Sequence, residues 1–160
     1  STMAIALQAA QLAGIQPAAA QDSAKVSACL QACSDLVAII GATGQLPESG
    51  SERAHVLERI TAPGGQLARQ LGVLESLCVE NAEATGSGGR AVGTALTVAD
   101  IAIWRIAGGG LATVDGIPTD YLSDSFPFVN KVLAAVEAEP KVSEWKALHP
   151  SYGGRDVFGF

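Results

Sequence analysis

Positive charge, histidine and cysteine are all scarce in this 160-residue sequence, and each scarcity argues against a class of function. Ten basic residues stand against 16 acidic ones, for a formal charge of −6. That balance repels phosphate backbones, so no nucleic-acid partner is expected through a basic face. The three cysteines, Cys29, Cys33 and Cys78, are an odd number in a chain long enough to bury its own core. A disulfide framework is therefore not expected, and a reducing, cytoplasmic setting is. Cys29 and Cys33 lie one helical turn apart, but neither a third thiol nor a nearby histidine completes a metal site, so core packing is expected of both. His55 and His149 stand alone in polar sequence, without a carboxylate or thiol partner for catalysis, and are expected at the surface. No apolar run reaches the ~18 residues of a membrane span, and no basic segment leads into an apolar one as in a signal peptide.

What the sequence does have is helical spacing. Hydrophobic residues make up 48% of the chain and charged ones only 16%, a globular composition. From Asp22 to Gly41 the apolar set Val26, Cys29, Leu30, Cys33, Leu36, Val37 and Ile40 steps by threes and fours along one face. Asp22 or Ser23 is expected to cap this helix and Gly41 to end it. Further helices are expected from Thr2 to Ala13, through Leu67, Leu71, Leu74 and Cys78, and from Thr97 through Trp104 to the glycine triplet Gly108–Gly110. Another follows Phe126-Pro127, with Phe128, Val129, Val132, Leu133 and Val136 inward, and Pro140 opens a short last one through Val142 and Trp145. Residues 41–51 and 84–93 read as surface connections, the second made mobile by Gly86-Ser87-Gly88-Gly89. Alternating strands and internal repeats are both missing, so the expected class is all-α, a helical bundle of at least five helices.

Two glycine-rich stretches invite a nucleotide-binding reading and fail it. The stretch from Val37 to Leu46 looks like a strand-turn opening, but Pro47 stands where a third glycine is needed, and no βαβ array follows. After Gly86–Gly89 there is no Lys-Ser/Thr to complete a phosphate loop.

The most specific stretch is Leu96-Thr97-Val98-Ala99-Asp100-Ile101. Thr97 at the N-cap and Asp100 three residues on can satisfy each other's backbone amides, a capping box, while Leu96 and Ile101 occupy the staple positions around it. Removing the Asp100 carboxylate is expected to cost about 1–2 kcal/mol on this pattern alone. With Trp104 four residues on, the box resembles the buried capping motif in the central helix of the cytosolic glutathione transferase C-terminal domain. Phe126-Pro127, Glu139-Pro140-Lys141-Val142 and Trp145 are similar to that family's ending. Thr2-Met3-Ala4-Ile5 resembles the opening of the last helix of its thioredoxin-like domain, and residues 24–36 its first long all-α helix, closest to the sigma class.

The resemblance implies a division at residue 16: residues 1–16 as the last helix of a thioredoxin-like domain, and 17–160 as the all-α domain. It implies that Ser1 and Thr2 hold the γ-glutamyl end of glutathione, as a hydroxyl and amides at a helix N-terminus can. Gln31 matches the position where the sigma class places an acid reaching the γ-glutamyl amine from a partner subunit. A neutral amide there makes a weaker contact than a charge-assisted one. No residue matches the family's catalytic Tyr, Ser or Cys, which belongs to a thioredoxin-like half expected to precede Ser1. Residues 1–160 alone are therefore expected to show no conjugation. The resemblance also implies glutathione as co-substrate, an electrophilic small molecule, and a homodimer or larger assembly. A non-catalytic assembly module is the alternative, since similar boxes occur in elongation-factor and synthetase complexes. The closing Asp156–Phe160 segment is expected to fold back on the core.

Overall fold

The computed structural model describes residues 2–47 and 49–149, apart from the Thr2 side chain; Ser1 and Asp156–Phe160 lie outside the described residues. No strand occurs among the described residues. The helices are α1 Thr2–Leu12, α2 Ala20–Gly44, α3 Ser51–Thr61, α4 Gln66–Thr85, α5 Val98–Ile103, α6 Tyr121–Ser125, α7 Pro127–Glu137 and α8 Pro140–Leu148. A π-helical stretch, Trp104–Gly110, and a 3₁₀ turn, Leu111–Thr113, continue directly from α5.

Helix α2 is the axis of the fold. It packs against α4, α5 and the π-helical stretch, and it buries Val26, Cys29, Leu30, Cys33, Leu36 and Ile40. By length and composition it could cross a membrane, but its apolar positions are used in the core. It begins at Ala20, before Asp22 and Ser23, with Ala19 as N-cap; the Ser23 hydroxyl donates to the Pro17 carbonyl at 3.0 Å. It also runs through Gly41 to Gly44. Glycine inside a helix costs about 1 kcal/mol relative to alanine, and burial of Ile40 and Thr43 on either side offsets that. The stretch that imitates a dinucleotide-binding turn is thus helical as far as Gly44.

Two more departures from the sequence reading have the same origin, tertiary packing overriding a local stop. The glycine triplet does not end the chain's helical course. Ala107 and Gly110 are buried, and a Cβ on Gly108 would lie 3.2 Å from Leu133 Cδ2. Small residues here let the π-helical turn approach α7 closely. Residues 84 and 85 belong to α4, and the glycines that follow rest on α7 instead of forming a free loop. A Cβ on Gly89 would meet the Ala135 Cβ at 3.4 Å, while Gly86, at φ +69°, and Gly93, at φ +63°, take the left-handed region. Helix α3 carries only a short apolar stripe, Val56, Leu57 and Ile60, and none of its residues is fully buried; Leu57 and Ile60 lean on the core from outside.

Candidate functional site

The start of α5 is built around one carboxylate. Asp100 is fully buried, and its Oδ2 accepts from the Thr97 amide at 2.7 Å and the Thr97 hydroxyl at 3.0 Å. The Thr97 side chain in turn faces the N3 amide, which makes the box reciprocal. The other oxygen, Oδ1, accepts from the Ala91 amide at 2.7 Å, a bond that spans the 86–97 connection. Burial pushes the Asp100 carboxyl above the usual carboxylate range, while these donors and the nearby Arg90 charge pull it back. Leu96 packs on the core and Ile101 is half-buried.

Asn81 on α4 holds the same connection from the other side. Its amide nitrogen donates to the carbonyls of Arg90 at 2.9 Å and Gly93 at 3.0 Å, and its oxygen accepts from the Gly93 amide at 2.7 Å. Glu75 on α4 serves as an N-cap for α7, accepting from the Phe128 amide at 2.9 Å and the Val129 amide at 2.8 Å. These side chains position helices and the connection between them.

The open feature that gathers sequence-predicted residues is a groove of about 410 Å³ between α1, α2, α5 and the π-helical stretch. Met3, Ala6, Leu30, Val37, Ala102 and Ile106 make it mainly apolar, and Gln31 and Ser34 stand at its polar edge. Gln31 is exposed and donates from Nε2 to Asp35 Oδ1 at 3.0 Å. Asp35 Oδ2 accepts from Gln70 Nε2 on α4 at 3.3 Å. The Gln31 oxygen is left as the acceptor, backed by a carboxylate one turn away. The sequence reading missed Asp35; its i, i+4 spacing from Gln31 was the available signal. Ser1 lies outside the described residues, and Thr2 is the first residue of α1.

Cys33 lines this groove but is only 3% exposed, and burial pushes its thiol up to about 12. Burial likewise raises Cys29 to about 12, and Cys78 is raised by the same cause. All three stay protonated at neutral pH and are poor nucleophiles. Native protein at pH 8 should therefore react with none of its three cysteines in a thiol-disulfide colorimetric assay, and all three should react in denaturant. Fast labelling of any cysteine in the native state would show that this packing opens. No group of three or more metal-ligating side chains occurs among the described residues. His55 is exposed, and the exposed His149 stacks on Trp145 at 4.7 Å between ring centroids.

No curated protein matches the chain. The family model described as the glutathione S-transferase C-terminal domain matches residues 56–149, from within α3 to the end of α8, and takes in the capping box and the Glu75 and Asn81 anchors. All-helical architecture and match agree: the chain belongs to the glutathione S-transferase C-terminal domain family.

Proposed function

We propose that the chain is the all-α part of a sigma-like glutathione transferase, acting as a cytoplasmic homodimer within a longer parent protein. Residues 1–16 are then the last helix of the thioredoxin-like half, whose nucleophile-activating group turns glutathione into a thiolate. Ser1 and Thr2 receive the γ-glutamyl carboxylate at the start of α1, and Gln31 receives the γ-glutamyl amine of the partner subunit's glutathione. The observation that carries this reading is the apolar groove with an oriented amide at its edge. Its lining suits an apolar electrophile, and the Gln31–Asp35 pair suits an ammonium beside it.

The test uses the full-length parent protein, with isothermal titration of glutathione and conjugation of an aryl halide. Gln31→Asp should tighten glutathione several-fold, because a charge-assisted hydrogen bond gains about 1 kcal/mol over a neutral one. The neighbouring Asp35 carboxylate limits the gain. Thr2→Ala should weaken binding and Thr2→Ser should change it little. Ser34→Trp, at the groove's exposed edge, should raise KM for the aryl halide while leaving glutathione affinity alone. No heat with glutathione and no conjugation by the parent protein would sink the enzyme reading in favour of an assembly module.

A further inference from the structure

A second cavity, of about 380 Å³, runs along the π-helical stretch where it meets α7 and α8. It shares no lining residue with the groove. π-Helical turns are rare and frequently mark functional sites. Four of the residues lining this cavity, Trp104, Arg105, Gly108 and Gly109, come from the π-helical stretch. Helical backbone disfavours glycine, yet at both glycines the space a side chain would take is in use. Leu133 lies against Gly108, and the Arg105 guanidinium lies over Gly109, where an added Cβ would come within 2.6 Å of Nη1. Gly109 does not take the left-handed region, so what the site uses there is the missing side chain and not backbone freedom.

Charge in this cavity runs against that of the chain as a whole. With a formal charge of −6, the chain still places two of its 10 basic residues, Arg105 and Lys146, in one lining against a single carboxylate, Glu137. That carboxylate is already engaged: Oε1 accepts from Trp104 Nε1 at 2.7 Å and Oε2 from Lys146 Nζ at 2.6 Å. Slight burial pushes the Glu137 carboxyl up, but these bonds outweigh that and hold it below the usual carboxylate range. The lining therefore carries a surplus of positive charge. The Lys146 and Glu137 side chains are 43% and 46% exposed, so a ligand reaches them from solvent, and half-buried Trp104 and Leu133 supply flat and apolar walls. We propose that this cavity binds a small aromatic carboxylate, whose carboxylate accepts from the Arg105 guanidinium beside the Lys146 ammonium and whose ring packs against Trp104 and Leu133. A planar guanidinium matches a carboxylate with two parallel N–H donors, and a cavity of this size takes a one- or two-ring molecule. The site is independent of the groove and of the transferase reading.

The probe is 2-naphthoate, and 2-naphthalenemethanol is its neutral counterpart of nearly the same shape. Each is titrated into the chain while the Trp104 indole N–H and the Leu133 methyl resonances are followed, with the Met3 methyl reporting on the groove. Naphthoate should shift the first two and leave Met3 unmoved. It should bind about tenfold more tightly than the alcohol, the worth of one charge-assisted pair. Arg105→Gln should abolish that preference, weakening naphthoate about tenfold and leaving the alcohol within about twofold. Gly109→Ala should weaken naphthoate with Arg105 intact, because the new methyl displaces the guanidinium, while Tm stays level or rises, alanine being the better residue in helical backbone. Ala134→Trp, a change at an exposed lining position, should block both probes. Equal affinity of the two probes, shifts at Met3 instead of Trp104 and Leu133, or naphthoate binding that survives Arg105→Gln undiminished would overturn the proposal.

Discussion

Replacing Asp100 with alanine should lower the free energy of unfolding by about 3 kcal/mol, more than the 1–2 kcal/mol expected from the capping pattern alone. The reason is the third hydrogen bond. Sequence spacing accounts for the bonds to Thr97, but Oδ1 also satisfies the Ala91 amide nine residues earlier. Alanine leaves two buried backbone amides unpaired, each costing about 1–3 kcal/mol. The energy of holding a carboxylate where nothing of Asp100 is exposed offsets part of that loss. Asp100→Asn distinguishes charge from shape. An amide keeps the volume but must turn its NH2 toward either the Ala91 amide or the Thr97 donors, so it should lose about 2 kcal/mol. At about 2–4 °C per kcal/mol for a domain of this size, both changes are readily seen in thermal melts. An unchanged denaturant midpoint for Asp100→Ala would mean that water replaces the carboxylate at no cost.

The contrast between Asp100 and Glu75 explains what the sequence could reveal. A capping box lies within four residues, so its chemistry and spacing are written together in Thr97 and Asp100. Glu75 caps α7 from 53 and 54 residues away, and nothing near Phe126-Pro127 announces it. Asn81 escaped notice for the same reason, since its partners Arg90 and Gly93 become neighbours only when the 86–97 connection folds back. Core faces were legible where one side of a helix is buried, as on α2, α4 and α7. On α3 the apolar stripe is only Val56, Leu57 and Ile60, too short to announce a core face, and the helix buries no residue fully. Glycine was the least dependable guide. Gly86 ends α4 with a left-handed φ, whereas Gly41 and the Gly108–Gly110 triplet stay within helical backbone because their neighbours are held in the core.

The groove was legible residue by residue but not as a surface. Gln31 was singled out by resemblance, yet its apolar neighbours come from two separate segments, Met3 from α1 and Ala102 and Ile106 from the course of α5 and the π-helical stretch. Their meeting depends on α1 lying against α5, a packing with no local signal.

Asn81 and Asp100 grip one segment from opposite sides, and the second large effect follows from that arrangement. Asn81→Ala should cost about 2–3 kcal/mol, because the side chain is only 3% exposed and three hydrogen bonds to Arg90 and Gly93 are lost together. Asn81→Asp should be damaging too. It can still accept from the Gly93 amide, but it turns an oxygen toward two carbonyl oxygens that need a donor. The two anchors are not independent, since Asn81 fixes residues 90 and 93 while Asp100 fixes residue 91 between them. Once either is removed, residues 90–93 can leave their native path, and the remaining anchor then holds less native structure. The double variant Asn81→Ala/Asp100→Ala should therefore lose less than the sum of the single losses, with a coupling of about 1 kcal/mol or more. Amide hydrogen exchange at Ala91 and Gly93 should rise together in each single variant, as expected when one connection opens as a unit. Additive losses, or exchange that rises at only one of the two amides, would mean that the anchors act separately and that the connection is held by the packing of its glycines on α7.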